Sequence, residues 1–291
     1  MSWLQNRKKP IQVETSQTLS RSQGSVLGKS FGWATLGFAV LAVLTLGFTC
    51  VWQFGVFNTG EAWNWNTLWV LNIGLTVGAF VLTIASAILA MFWQTKMLTM
   101  QNAKVYTWLV WSFFVVGQSL AFSWLMFMLN NTIDNSGNTL WWVCPAAFGL
   151  AFVLFGIFAI IGYNLGNKGQ FTVKKMIMVC SIIMGIIALP LLIFMFLFAF
   201  LWSPWGYTSL FWITFLLLVL FMFILFLSII SIIGDIKRSD EFARLNGGTE
   251  QNEIVKRLSL IYGFDLLVEF VCLIWMLIWL LITVLGFARR I

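Results

Sequence analysis

The sequence predicts an all-α integral membrane protein, a bundle of seven helices, from its composition and from seven long apolar stretches. Of its 291 residues, 60% are apolar and only 9% are charged, whereas a soluble domain carries about 25% charged residues. A soluble fold of this size would leave a large apolar surface in water and would aggregate. The composition therefore excludes a soluble enzyme, a nucleic-acid-binding domain and a disordered chain.

The apolar stretches predict helices that cross a membrane. A transmembrane helix needs about 20 mainly apolar residues, and none of the stretches has the alternating pattern of a membrane-barrel strand. Because only helices and closed barrels satisfy the backbone hydrogen bonds in lipid, we expect helices. The seven predicted spans are residues 32–53, 67–93, 105–129, 140–163, 176–201, 209–233 and 259–287.

The distribution of basic residues predicts the orientation. Fifteen of the 17 lysines and arginines lie in residues 1–30 or in the loops after the second, fourth and sixth stretches, the last of these being residues 234–258. The alternate loops contain none. Cytoplasmic loops are enriched in Lys and Arg, so we expect a multi-pass cell-membrane protein whose N-terminus is cytoplasmic. Residues 1–30 are then a polar basic tail, and residues 31–291 are the membrane domain.

The last apolar run, residues 258–288, has two interpretations. Seven crossings would put Arg289 and Arg290 on the outer side, against the charge rule. The run is long for one straight helix, and Gly263 lies near its start. It either crosses the membrane with a tilt or partly re-enters on the cytoplasmic side, and the sequence leaves both open.

The absence of His and the small number of Cys residues exclude several kinds of catalytic and metal site. The chain has no His, which excludes Ser-His and Cys-His nucleophile pairs and His-based metal or haem sites. Its four cysteines lie far apart, in or beside apolar stretches. We expect buried thiols rather than disulfides or a zinc site, and no cofactor is implied.

One polar cluster lies inside the third apolar stretch. It consists of Gln118, Ser119 and Ser123. Polar side chains of transmembrane helices form hydrogen bonds between helices. We therefore expect these side chains to join neighbouring helices rather than to line a pore.

Three of the ten carboxylates are candidate functional residues. Asp235 lies at the end of the sixth stretch, whereas Asp265 and Glu269 lie inside the last one, a helical turn apart on the same face. An ionised carboxylate at the middle of a transmembrane helix costs about 2.5–3.5 kcal/mol. Because such acids mark functional sites, we expect a proton or cation site, with a structural hydrogen bond as the alternative. Two carboxylates that share a site titrate as a pair and can act as a pH switch.

Four segments, in order, carry a resemblance to a known family. They are LGKSFGWATLGFAVLA, FGIFAIIGYNLGNKGQFT, SIISIIGDIKRS and LSLIYGFD. Together they resemble the Bax inhibitor-1 family over about residues 27–288. The resemblance implies a seven-helix bundle with the last helix at its centre. It also implies an aspartate pair, here Asp235 and Asp265, that senses pH and gates a cation leak, notably of calcium.

The chain departs from the family pattern around this pair. Gly234 stands where the family has Tyr before the first aspartate, and Val268 stands where it has Asn after the second. Glu269 is an additional acid. Some bacterial members hold the pair with an Arg near the end of the second helix; Lys96 lies one position from that place and is the candidate latch.

These observations predict a pH-sensitive cation leak channel whose site is Asp235, Asp265 and Glu269. Calcium is the expected ion, with Asp235 and Asp265 as its candidate ligands, because hard carboxylate oxygens suit it. The alternative is a non-conducting regulator that binds a membrane protease or a stress-response partner through the basic tail. An intramembrane aspartic protease needs both acids within the bilayer, whereas Asp235 lies beside Lys237 and Arg238. We therefore do not expect an enzyme. The composition already argues against a nucleic-acid partner.

Overall fold

The computed structural model describes residues 26–56, 65–99, 102–131, 140, 142–165, 173–182, 204–245 and 249–288, and nearly all of them are helical. The helices are α1 Val26–Cys50, α2 Trp65–Leu98, α3 Lys104–Asn131, α4 Val143–Leu165, α5 (the helical residues 173–182), α6 Pro204–Leu245 and α7 Thr249–Ala288. A short π-helix, Val51–Val56, continues α1.

Six helices of the described part of the chain are long and apolar enough to cross a membrane, namely α1, α2, α3, α4, α6 and α7. Their outer faces carry large apolar side chains such as Met91 and Trp108, which are 72% and 75% exposed. The predicted all-α class is confirmed, and these helices indicate a multi-pass membrane protein. The fifth predicted span, residues 176–201, lies outside the described residues from position 183 onward.

Helix α7 packs against most of the other helices. Its backbone approaches α1, α2, α4 and α6. Its Phe264 ring meets the rings of Trp93 on α2 and of Trp111 on α3, with centroids 5.7 and 5.5 Å away. Further along α7, Trp275 stacks on Phe122 of α3 at 4.5 Å. Side chains of α7 therefore form much of the apolar core.

Two glycines allow α1 and α7 to cross closely. A Cβ atom on Gly263 would lie 2.7 Å from Trp33 Cβ and 3.0 Å from the Ser30 carbonyl oxygen. A Cβ atom on Gly37 would lie 2.7 Å from the Leu267 side chain. Small residues permit such close approaches between membrane helices. Helix α7 continues through Gly263, so this glycine is a packing position and does not break the helix.

The basic segment 234–258, predicted as a loop, is mostly helical. Helix α6 extends to Leu245 and α7 begins at Thr249, and only residues 246–248 of this segment lie outside the described residues. Lys, Arg and Glu favour helix, so both helices continue past their apolar stretches. The prediction of a polar loop here was wrong.

Helix α1 begins earlier than its apolar stretch indicates. The Val26 backbone N–H donates a hydrogen bond to Asp240 Oδ1 of α6 at 2.9 Å. The first turn of a helix has unpaired N–H groups and a partial positive charge, so a carboxylate stabilises it. Residues 26–30 are therefore helical, although the sequence assigned them to the tail; residues 1–25 lie outside the described residues.

All four cysteines are free thiols, as expected, but they differ in exposure. Cys144 is buried, Cys180 and Cys272 are partly buried, and Cys50 is exposed. Cys50 is the last residue of α1 and lies on its outer face, so an apolar neighbourhood in the sequence did not place it in the core.

Candidate functional site

The Asp265 carboxylate lies between α7 and the end of α2. Gln94 Nε2 donates a hydrogen bond to Asp265 Oδ1 at 3.1 Å. The preceding residue, Trp93, is fully buried and donates from its indole nitrogen to Thr107 Oγ1 at 2.7 Å. This contact with α3 orients the last turns of α2, so that Gln94 reaches α7.

The Glu269 carboxylate lies one helical turn further along α7. Ser228 of α6 donates a hydrogen bond from its hydroxyl to Glu269 Oε1. Glu269 is close enough for its charge to act on the Asp265 carboxyl, as their spacing of four residues predicts. The two acids are thus neighbours on α7, and each is bound by a neutral side chain from a different helix.

Neither of these acids forms an ion pair within the described residues. Basic side chains pair with other acids instead, for example Lys174 with Asp235 and Arg257 with Glu253. Both Asp265 and Glu269 are mostly buried inside the apolar span of α7. A buried charge is costly unless it is balanced. The arrangement can therefore bind a proton or attract a cation, which are the two ways of balancing these carboxylates from outside the protein.

Asp235 lies at a more exposed end of the same region. Lys174 of α5 pairs with it, with Nζ 2.9 Å from Oδ2 and 3.1 Å from Oδ1. The two side chains are 30% and 51% exposed. Ion pairs at such positions contribute about 0–1 kcal/mol, so Lys174 can leave Asp235 at little cost.

Tyr262 is a neighbour of Asp265 on α7 that was not identified as a site residue in the sequence. It precedes Asp265 by three positions, which places both on one face of α7. Its hydroxyl forms a hydrogen bond with the Ser239 hydroxyl of α6 at 2.9 Å. The charges of both Asp235 and Asp265 act on this hydroxyl. The spacing in LSLIYGFD is the signal that could have identified it. Asp235 and Asp265 as a pH-sensing pair stay a prediction.

Lys96, the candidate latch, contacts a ring instead of an acid. Its ammonium lies 4.2 Å from the centroid of the Tyr106 ring, a favourable cation–π contact. The α2 side chain that is hydrogen-bonded to Asp265 is that of Gln94, two positions before Lys96. A latch at Lys96 stays a prediction, and it would require another conformation of that side chain.

The described residues hold no group of three or more His, Cys, Asp or Glu side chains placed to bind a metal ion. Calcium is usually bound by about six to eight oxygen ligands. Two carboxylates supply fewer oxygen ligands than that. Asp235 and Asp265 as calcium ligands stay a prediction.

The polar cluster of α3 joins helices, as predicted. Gln118 Nε2 donates to Thr83 Oγ1 of α2 at 2.9 Å, and Trp275 Nε1 of α7 donates to Gln118 Oε1 at 2.8 Å. Ser119 donates to a backbone carbonyl of α1 at 3.2 Å. Ser123 accepts a hydrogen bond at 3.2 Å from an indole in the π-helix that follows α1. The expected interhelical hydrogen bonds are confirmed.

Comparisons of the chain with protein-family models, with curated proteins and with solved structures give no match. The resemblance to the Bax inhibitor-1 family consequently rests on the four sequence segments alone. A functional assignment must start from the carboxylates of α7 and their partners.

Proposed function

We propose that this protein is a pH-responsive cation leak channel of the Bax inhibitor-1 type, controlled by carboxyls of α7. The proposal rests on the position of Asp265 and Glu269 in the structure. Both lie inside an apolar span and are bound by the neutral side chains of Gln94 and Ser228. Acids at such positions are expensive and are characteristic of proton and ion pathways.

We propose further that the chain crosses the membrane seven times from a cytoplasmic N-terminus, with α7 as the central helix. Lys96, Lys174 and Lys237 would then lie on the cytoplasmic side, as the charge rule requires. Helix α7 is one unbroken helix of 40 residues, about 60 Å long at its usual rise. That length exceeds a hydrocarbon core of about 30 Å, which supports a crossing with a cytoplasmic extension over a re-entrant segment.

The proposed gate depends on the protonation of these acids. The groups that act on Asp265 are Gln94 on α2 and Glu269 on α7. Asp235 of α6, which pairs with Lys174 of α5, lies near enough to Tyr262 of α7 for its charge to act there, as does Asp265. With protons bound, the carboxyls are neutral and do not repel each other, so that α2 and α6 stay packed against α7. As the pH rises they ionise, repel one another and attract cations, so the leak increases.

Calcium is the cation that this site favours. Two neighbouring carboxylates supply two negative charges and hard oxygen atoms, which suit a divalent ion of this kind. Asp235 lies at the more exposed end, so it would be the first acid that an entering ion meets, or the last for an ion that leaves. The proposal thus gives the three acids consecutive positions on one cation path.

Calcium flux in proteoliposomes, measured over a series of pH values, tests the proposal. We expect a leak that rises with pH in the wild type, and a smaller or pH-independent leak in Asp235→Asn and in Asp265→Asn. Glu253→Gln is the matched control, because it removes an exposed carboxylate from the same helix. An unchanged pH dependence in Asp265→Asn would remove the proposal. Absence of flux in every folded variant would favour the non-conducting regulator instead.

A further inference from the structure

A cavity lies between α2, α6 and α7, near the helix ends that carry Lys96, Lys237 and Arg257. Its volume is about 400 Å³, within the range of about 300–1,000 Å³ that is typical of ligand sites. Its polar wall consists of Arg238, Ser239 and Arg257. The apolar wall includes Met97, Leu98 and Ile261.

We infer that this cavity binds the phosphate headgroup of an anionic phospholipid, with the first part of an acyl chain along the apolar wall. Two guanidinium groups and a hydroxyl supply the donors that a phosphate ester requires. Basic pockets between transmembrane helices on the cytoplasmic side bind anionic headgroups in this way. The apolar wall distinguishes a lipid from a soluble phosphate, which gains nothing from Met97 or Leu98.

The side chains around the cavity are compatible with an anionic ligand. Arg238 is exposed. Arg257 is 21% exposed and contacts the 72% exposed Glu253 at 3.5 Å, a surface ion pair that contributes about 0–1 kcal/mol. The contact between Arg257 and Glu253 therefore costs a phosphate little to displace.

One hydrogen bond joins the cavity lining to Tyr262, a neighbour of Asp265 on α7. Ser239 lines the cavity, and its hydroxyl is hydrogen-bonded to Tyr262, on which the charges of Asp235 and Asp265 act. A bound phosphate lies beside this contact. The lipid site goes beyond the proposed function, and its test needs no measurement of transport.

Native mass spectrometry of the purified full-length protein, titrated with phosphatidylglycerol or with phosphatidylcholine of the same acyl chains, tests the inference. We expect tighter binding of phosphatidylglycerol. Replacing Arg238→Gln and Arg257→Gln should weaken it by roughly fivefold for each arginine. Lys256→Gln is the control, because it removes one positive charge from an exposed position of α7 outside the cavity lining.

A variant of the apolar wall separates a lipid from a free phosphate. Leu98 is 65% exposed, so Leu98→Trp should fold, fill part of the cavity and weaken phosphatidylglycerol binding without changing the charge. Equal binding of the two lipids, or equal losses in the arginine variants and Lys256→Gln, would overturn the inference. It would also be overturned if glycerol phosphate bound as tightly as phosphatidylglycerol.

Discussion

Gln94 of α2 and Asp265 of α7 are joined by a hydrogen bond of 3.1 Å between residues 171 positions apart in the chain. The bond connects the last turns of α2 to a carboxylate inside the apolar span of α7. Any movement that separates α2 from α7 breaks it and leaves Asp265 to other partners. The contact therefore links the arrangement of the helices to the state of the acid.

Replacing Gln94→Leu should destabilise the protein by about 1–3 kcal/mol, because Asp265 loses a buried hydrogen-bond donor. Thermal unfolding in detergent measures this loss. Thr95→Val is the matched control, since the Thr95 hydroxyl is exposed and, among the described residues, bonds to a carbonyl of its own helix. Equal stability of the two variants would show that the Gln94–Asp265 bond contributes nothing.

Replacing Gly263→Ala should destabilise the crossing of α1 and α7 by about 1–3 kcal/mol, the usual cost of overpacking. The added methyl group would lie 2.7 Å from Trp33 Cβ, so the helices must move apart. Gly74→Ala is the control, because nothing lies within 4 Å of its Cβ position. Unfolding in detergent should distinguish the variants; an unaffected Gly263→Ala would contradict the close crossing.

Replacing Gln118→Leu should remove the hydrogen bonds to Thr83 and Trp275 together. Each interhelical bond in a membrane protein is worth about 0.6 kcal/mol on average. The partly buried indole N–H of Trp275 also loses its acceptor, whereas Thr83 keeps its bond to the Ala79 carbonyl, so we expect a loss of about 1–3 kcal/mol. Thr283→Val, which alters an exposed hydroxyl bonded within its own helix, serves as the control. Wild-type stability of Gln118→Leu would mean that the cluster does not join the helices.

Replacing Asp240→Ala should loosen the start of α1, because Asp240 accepts the hydrogen bond of the Val26 N–H. Loss of such a cap costs about 0.5–2 kcal/mol. Hydrogen exchange of the amides of residues 26–30 should become faster. Asp240→Asn keeps an oxygen acceptor and should recover most of the protection; equal exchange in the wild type and Asp240→Ala would exclude the cap.

The sequence predicted those features that depend on long or regular patterns. Apolar stretches of the length of a bilayer identify helices, because hydrophobicity has to persist through the whole span. The spacing of Asp265 and Glu269 predicted their shared face of α7. The cluster around Gln118 predicted interhelical hydrogen bonds, because polar side chains in lipid need such partners.

The partners of the acids could not be predicted in the same way. Gln94 and Ser228 are neutral residues on other helices, and no local pattern indicates which acid each one meets. The helical ends were missed because hydropathy detects only the part of a helix that lies in lipid. The segment after Asp235 is polar and was therefore predicted as a loop, although its residues favour helix.

The double variant Asp265→Asn, Glu269→Gln tests the central claim most directly, through calcium flux in proteoliposomes over a series of pH values. It keeps the size of both side chains and one oxygen acceptor in each, while no proton can be gained or lost at either position. We predict that the flux no longer changes with pH, whereas the wild type leaks more as the pH rises. A double variant with the pH dependence of the wild type would contradict the assignment of the gate to these carboxyls.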